Sequence, residues 1–126
     1  MFSEKSVLVV DDDSGVRESL KLFIEDQIGA IVLMAENGQE ALEILQQEPC
    51  HLVITDLQMP IMTGLDLTAQ IRADPALAPI PVFMLTGRLD SQIRSLAEQA
   101  GVTEFFEKPF DLEALMTSIK RILQIV

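Results

Sequence analysis

Six polar side chains follow short apolar runs in this sequence, at the points where β-strands are expected to end. They are Asp11, Asp12, Asp13, Asp56, Thr86 and Lys108. Because the carboxyl ends of parallel strands meet at one edge of a sheet, and ligands bind in the crevice outside that edge, we expect these groups to collect there. The sequence therefore predicts a site that combines carboxylates, one hydroxyl and one ammonium group.

Carboxylates that lie within several Å of one another repel strongly in a partly dry site, and a hard divalent cation relieves that repulsion. Mg²⁺ takes oxygen ligands, commonly one or two carboxylates, water molecules and phosphate oxygens. We expect Asp12 and Asp56 to be direct ligands and Asp11 to hold a metal-bound water. Asp13 is expected to be a solvent-facing turn residue. The acidic residues therefore indicate a magnesium site.

Lys108 would place a mobile positive charge opposite the cation, and Thr86 would add a hydroxyl. A group that develops negative charge between a divalent ion, an ammonium and a hydroxyl is a phosphoryl group. A carboxylate can accept that group and form an aspartyl phosphate. Asp56 is the candidate acceptor because it stands alone at the end of an apolar run, with a loop after it.

Five apolar runs are predicted to be the strands that position these groups. They lie at residues 7–10, 30–34, 52–55, 82–85 and 103–106. The first four are continuous, which is typical of strands covered on both faces. The fifth is weaker and is expected to lie at an edge of the sheet.

Apolar residues at helical spacing fill the gaps between the strands. They predict helices over residues 16–24, 39–47, 64–73, 93–100 and 112–126. The alternation of strand and helix, repeated five times, implies an α/β fold with a parallel sheet and helices on both faces.

Individual residues mark the helix boundaries. Gly29 and Gly101 are expected to end the first and fourth helices, and Pro75 follows the third. Asn37 is expected at the start of the second helix and Asp111 at the N-cap of the last.

Composition narrows the possible functions of this 126-residue chain, which is 48% hydrophobic and 23% charged, as expected for one soluble domain. Nine Lys and Arg residues against twenty Asp and Glu residues give a net charge of −11. A domain of that charge is repelled by phosphate backbones and anionic lipids. The charge therefore argues against direct nucleic-acid or membrane binding and favours a protein partner or a cation.

His51 is the single histidine and Cys50 the single cysteine, and we interpret both as structural. One histidine excludes a His-rich zinc site and leaves little room for a Ser-His-Asp triad. One cysteine cannot form an internal disulfide, which favours a reducing, cytoplasmic location. No apolar run approaches the roughly 20 residues that span a bilayer, and no secretory signal is recognised before the first strand.

Five stretches resemble the receiver domain of two-component response regulators, and in particular the single-domain chemotaxis type. They are VLVVDDDSGVR (7–17), AENGQEAL (35–42), LVITDLQMPIMTG (52–64), FMLTG (83–87) and AGVTEFFEKPF (100–110). They cover essentially the whole chain, in that family's order and spacing. The resemblance implies one receiver domain over residues 1–126, built on a doubly wound five-stranded parallel sheet of flavodoxin-like order 2-1-3-4-5. Because the last predicted helix runs to residue 126, no output domain is expected within these residues, and the sequence leaves open whether they belong to a longer regulator.

The resemblance also implies roles for individual acidic residues. Asp56 would accept phosphate from the phosphohistidine of a histidine kinase or from a histidine phosphotransferase. Asp11, Asp12 and Asp56 would bind Mg²⁺, joined by the backbone carbonyl of Gln58. The chain would modify only itself, and we do not expect an enzyme that acts on an outside substrate.

Three further residues would carry the response to phosphate. Lys108 would pair with the phosphoryl oxygens and precede a cis peptide bond to Pro109. Thr86 would be the switch hydroxyl that moves toward the phosphate, and Phe105 the aromatic residue that changes rotamer with it. These movements would change the affinity of the chain for a protein partner.

Three loop residues carry more specific expectations. Gly64 is expected to supply a backbone turn that other residues resist. Gln58 and Arg88 would border the path of water toward an acyl phosphate. We expect Arg88 to lie across the phosphoryl group and slow its hydrolysis, with water orientation by Gln58 as the alternative.

Two other functions stand against this one. A phosphohydrolase of the haloacid-dehalogenase type also uses strand-end acids, and Asp11 and Asp13 would then be nucleophile and acid. That pattern, however, requires Thr or Val where Gly15 stands, and a second acidic pair late in the chain. A receiver that acts only by docking would lack the acidic pair, the acceptor or the lysine, and this sequence has all of them.

Overall fold

The computed structural model describes residues 5–124 and shows five strands alternating with five helices, as predicted. The strands are β1 (Ser6–Val10), β2 (Ile31–Ala35), β3 (Leu52–Asp56), β4 (Val82–Thr86) and β5 (Glu104–Glu107). The helices are α1 (Ser14–Ile28), α2 (Gly38–Gln47), α3 (Gly64–Ala73), α4 (Ser91–Ala100) and α5 (Leu112–Leu123). The last helix ends at Leu123, earlier than predicted, because Gln124 adopts a left-handed conformation with a φ angle of 59°. Val126, the predicted end, lies outside the described residues.

The five strands pair in parallel in the order β2-β1-β3-β4-β5, which confirms the predicted sheet. Val10 lies opposite Thr55, so Asp11 is level with Asp56 on the neighbouring strand. Asp56 in turn lies opposite Leu85, and the last residue of β4 lies one step beyond. The register therefore brings the predicted site residues to one edge of the sheet.

The alternating side chains of β1 divide the core into two layers. Val7 and Val9 pack with α1 and α5, whereas Leu8 and Val10 pack with α2 and α3 on the other face. None of these four side chains is more than 1% exposed. Because both faces are covered, the four positions from Val7 to Val10 are all apolar, and this central strand carries Asp11 directly after it.

The prediction that β2 is covered on both faces is wrong. Ile31 is 53% exposed, and the next three residues are only half-buried. β2 has a single neighbouring strand because it forms one edge of the sheet, and β5 forms the other edge, as expected.

The residues that were predicted to mark helix ends do so. Gly29 and Gly101 follow α1 and α4 with φ angles of 74° and 97°, in the left-handed region that glycine adopts most easily. Asn37 accepts a hydrogen bond from the Glu40 N–H at 2.8 Å and caps α2, and Asp111 caps α5. None of the described helices is long and apolar enough to cross a membrane.

Candidate functional site

Three carboxylates meet at the carboxyl edge of the sheet. Asp11, Asp12 and Asp56 each offer an oxygen atom, and these atoms lie within 4.8 Å of one another. Asp11 is buried, Asp56 is half-buried and Asp12 is exposed. The Asp11 N–H donates to the Ala35 carbonyl at 3.1 Å, which continues the pairing of β1 with β2 past the end of the strand. The structure therefore brings together the three acids that the sequence predicted as metal ligands.

Burial makes the ionised form of Asp11 costly. Desolvation raises its pKa from the ordinary value of 3.8, a hydrogen bond from the Asp13 N–H opposes that rise, and the charge of Asp56 adds to it. Because the pKa of Asp11 is raised in the folded state, this residue lowers the stability of the fold as the pH increases above 3.8 and the carboxyl ionises. A cation bound to these carboxylates would remove that cost.

Lys108 supplies the positive charge of the site. Its ammonium lies 3.4 Å from Asp56 Oδ1 and 3.7 Å from Asp11 Oδ2. Its backbone N–H donates to the Thr86 carbonyl at 2.7 Å, which fixes the start of this loop against β4. The Lys108–Pro109 peptide bond is cis, as the resemblance implied. Asp56 Oδ1 also accepts the Leu57 N–H at 2.8 Å, so one backbone hydrogen bond and one ion pair act on the acceptor carboxylate.

Thr86 is buried, and its hydroxyl is turned toward the loop that follows β4. It donates to the Arg88 carbonyl and accepts the Arg88 N–H, both at 3.0 Å. The Arg88 side chain pairs with Asp90 at 3.0 Å and is 60% exposed. Asp90 caps α4. Arg88 is thus engaged at the start of α4, which differs from the position across the phosphoryl group that the sequence suggested.

Phe105 and Phe106 face opposite sides of β5, as expected from the alternation of a strand. Phe106 packs on Phe83 in the core, with ring centroids 5.6 Å apart. Phe105 is half-buried, and the Arg94 guanidinium lies 4.7 Å from its ring centroid. Because Phe105 pairs with Met84 in the sheet, it lies on the same face as the last residue of β4.

The loop after Asp56 departs from one expectation. Gly64 does not have a positive φ; instead, a Cβ there would overlap the backbone carbonyl of Asp56. Close approach, and not an unusual turn, is therefore the reason for glycine at this position. The positive φ belongs to Ile61, at 74°, where a β-branched side chain is strained. The Gln58 side chain is exposed in the same loop, and the role of its carbonyl stays a prediction.

Asp13 has a role that the sequence analysis missed. Its exposed side chain accepts the Gly15 N–H at 2.8 Å and the Val16 N–H at 3.3 Å, so it is the N-cap of α1. The signal for this role was available, since aspartate is among the preferred N-cap residues and a helical pattern follows it.

The chain is similar to known proteins over most of its length. Residues 7–120 match the family model of the response regulator receiver domain. The chain is 35% identical over 118 residues to the chemotaxis protein CheY of Pseudomonas aeruginosa, which covers 94% of this chain and 95% of that protein. It is 37% identical over 118 residues to the response regulator Rre1 of Synechocystis, which covers 94% of this chain and 51% of that protein. The chain thus spans about half of the length of that relative.

Solved structures agree with the sequence comparisons. A response regulator receiver protein from Pseudomonas putida matches with a TM-score of 0.88 at 32% identity, covering 96% of this chain and 99% of that one. The chemotaxis protein CheY4 of Vibrio cholerae matches with a TM-score of 0.89 at 29% identity, covering 95% of this chain and 99% of that one. With the family model matched over most of its length, the chain belongs to the family of response regulator receiver domains.

Proposed function

We propose that the chain is a phosphoacceptor switch, which takes a phosphoryl group onto Asp56 from a histidine kinase or a histidine phosphotransferase with the help of Mg²⁺. The observation that carries the proposal is the Lys108 ammonium, 3.4 Å from Asp56 and 3.7 Å from Asp11. An ammonium held among carboxylates stabilises an anion that arrives beside them. Membership of the receiver family supports the same function.

The donor set suits magnesium. Three carboxylates with oxygen atoms within 4.8 Å of one another are hard ligands of the type that this ion prefers. Asp12 and Asp56 would bind it directly, Asp11 would bind it through a water molecule, and the Gln58 carbonyl would be a further ligand. When bound, the ion would neutralise the carboxylates and attract phosphoryl oxygens.

The chain's own residues then carry out the transfer. A carboxylate oxygen of Asp56 forms the new bond to phosphorus while the phosphorus–nitrogen bond of the donor's phosphohistidine breaks. The electron pair of that bond stays on the imidazole nitrogen, and the proton on the other ring nitrogen keeps the leaving imidazole neutral. Lys108 stabilises the charge on the phosphoryl oxygens, and the Leu57 N–H keeps the Asp56 carboxylate oriented.

The phosphohydrolase alternative fits the structure less well. It would use the Asp13 carboxylate as a general acid, but that carboxylate accepts two backbone N–H groups as the cap of α1. The docking-only alternative would not account for Lys108, which is held between two of the acids. We also propose that the chain acts on a protein partner in the cytoplasm. Its net charge of −11 repels the phosphate backbone of nucleic acids, so we expect no direct contact with them.

We place the response to phosphate in Thr86 and Phe105. The Thr86 hydroxyl would leave the Arg88 backbone and donate to a phosphoryl oxygen. The loss of both Arg88 bonds would release the loop that leads into α4. Phe105, which lies on the same face of the sheet, would then change rotamer and leave its contact with Arg94.

Beryllofluoride, a stable mimic of the phosphoryl group, tests this function. Because the chain contains neither Trp nor Tyr, amide NMR is a better readout than intrinsic fluorescence. We expect saturable shifts of the Leu57 and Arg88 amides that require Mg²⁺ and beryllofluoride together. The same addition to Asp56→Asn is the control, and equal shifts in that variant would contradict the proposal.

Thr86→Ala should separate phosphoryl binding from the response to it. We expect this variant to bind beryllofluoride nearly as well as the wild-type chain, with shifts in α4 reduced to about half or less. A ligand shifts the equilibrium between two conformations only as far as it binds one of them more tightly than the other, and the hydroxyl supplies part of that difference. Thr86→Ser keeps the hydroxyl and should restore the shifts. A full wild-type response in Thr86→Ala would exclude the hydroxyl as the relay.

A further inference from the structure

Arg17 is a cation near the acidic site that the proposed transfer does not use. It lies at the start of α1, six residues after Asp11. Its Nη1 donates to the backbone carbonyl of Asp11 at 2.7 Å. The ion pairs found among residues 5–124 do not include Arg17, although it contacts the backbone of Asp11, one of the three acids of the site. The guanidinium therefore binds a backbone carbonyl of the site and forms no ion pair with the carboxylates of the site among the described residues.

The bond closes a short turn between β1 and α1. The Asp11 N–H donates to the Ala35 carbonyl, and the Asp13 N–H donates to Asp11 Oδ1 at 2.9 Å. The Arg17 N–H donates to the Asp13 carbonyl at 3.1 Å. With the side chain of Arg17 on the Asp11 carbonyl, both ends of the turn are fixed to the same helix. The peptide that joins Asp11 to Asp12 is therefore fixed through its carbonyl.

Asp12 depends on that peptide for its position. Its side chain is exposed, and its carboxylate takes no part in the hydrogen bonds and ion pairs found among the described residues. Asp11, by contrast, has a buried carboxylate that accepts the Asp13 N–H and pairs with the Lys108 ammonium. The backbone of the turn therefore fixes the position of the Asp12 Cα and the direction of its Cα–Cβ bond.

We propose that Arg17 is a positioning residue of the metal site, which holds the Asp11–Asp12 peptide so that Asp12 can bind the cation. The inference rests on the magnesium site of the proposed function. The direction in which Mg²⁺ affinity changes when Arg17 is replaced distinguishes a positioning role from an effect of charge. The charge of Arg17 repels a cation, so its removal would tighten Mg²⁺ binding if charge alone mattered. Removal of a positioning bond weakens binding instead.

The test is a Mg²⁺ titration of the folded chain. Bound metal is first removed with EDTA, the EDTA is washed out, and Mg²⁺ binding is then followed by amide NMR. Arg17→Met keeps the apolar stem but removes both the charge and the donor. We expect its dissociation constant to rise about fivefold, which corresponds to the net contribution of one typical hydrogen bond. Because the resonances of the folded state report the binding, a change in stability alone does not move this constant.

Two variants control the result. Lys21→Ala removes a positive charge one turn further along α1, where Lys21 pairs with Glu25 at 3.8 Å, and it should bind Mg²⁺ as the wild-type chain does or slightly more tightly. Arg17→Lys keeps a donor and should recover part of the lost affinity. Unchanged or tighter binding by Arg17→Met would overturn the inference and leave the proposed function standing. A wild-type chain that binds no Mg²⁺ would overturn both.

Discussion

Lys108→Ala is expected to bind Mg²⁺ more tightly than the wild-type chain and yet to accept phosphoryl groups about a hundredfold more slowly, as when one preorganised donor to a developing anion is removed. The two effects have one cause. The Lys108 ammonium lies 3.4 Å from Asp56 and 3.7 Å from Asp11, so it competes with a metal ion for the same carboxylates. Without it, the metal has no competitor, but the phosphoryl oxygens lose their ammonium partner.

The measurement combines a Mg²⁺ titration and a time course of phosphorylation on the same protein. Mg²⁺ affinity is read from amide NMR, and the rate of phosphorylation is read from the mass of the chain after timed exposure to acetyl phosphate at saturating Mg²⁺. Lys108→Arg, which retains a positive charge, should lie between the wild-type chain and Lys108→Ala in both measurements. A Lys108→Ala variant that is phosphorylated at the wild-type rate would remove Lys108 from the transfer step.

The position of the acidic site was predictable from the sequence because it follows from the sheet. Apolar runs end where β1 and β3 end, and a parallel register then makes Asp11 and Asp56 neighbours. The helix ends at Gly29 and Gly101 were predictable for a similar reason, since few other residues adopt a positive φ there at low cost.

The directions of individual side chains were not predictable in the same way. The Thr86 hydroxyl bonds to Arg88 because of the path of one loop, and no periodicity in the sequence encodes that path. The exposure of β2 depends on its place at the edge of the sheet, whereas an apolar run reads the same at the edge and at the centre. Contacts of this kind depend on tertiary neighbours and not on local pattern.

Arg72 is a further contact that the sequence did not reveal. Its guanidinium donates to the carbonyls of Gly101, Ala78 and Ile80 at 2.6 to 3.0 Å, and so joins α3 to the segment before β4 and to the end of α4. In the sequence it is one more charged residue near the end of a helix. Its partners are carbonyl groups, which have no signature in sequence.

Asp56→Asn is expected to abolish phosphorylation, because the amide has no anionic oxygen to form the bond to phosphorus. Asp11 is the nearest substitute, since Lys108 also lies 3.7 Å from it. It is, however, 3% exposed, and one of its oxygens already accepts the Asp13 N–H. We therefore expect no label to move to Asp11.

The most direct test is the intact mass of the chain after incubation with acetyl phosphate. We expect one added phosphate in the wild-type chain when Mg²⁺ is present, and none when Mg²⁺ is removed by EDTA. We expect no added phosphate in Asp56→Asn under either condition. Labelling of Asp56→Asn to the wild-type level, or a wild-type chain that takes up no phosphate with Mg²⁺ present, would contradict the claim that Asp56 is the acceptor.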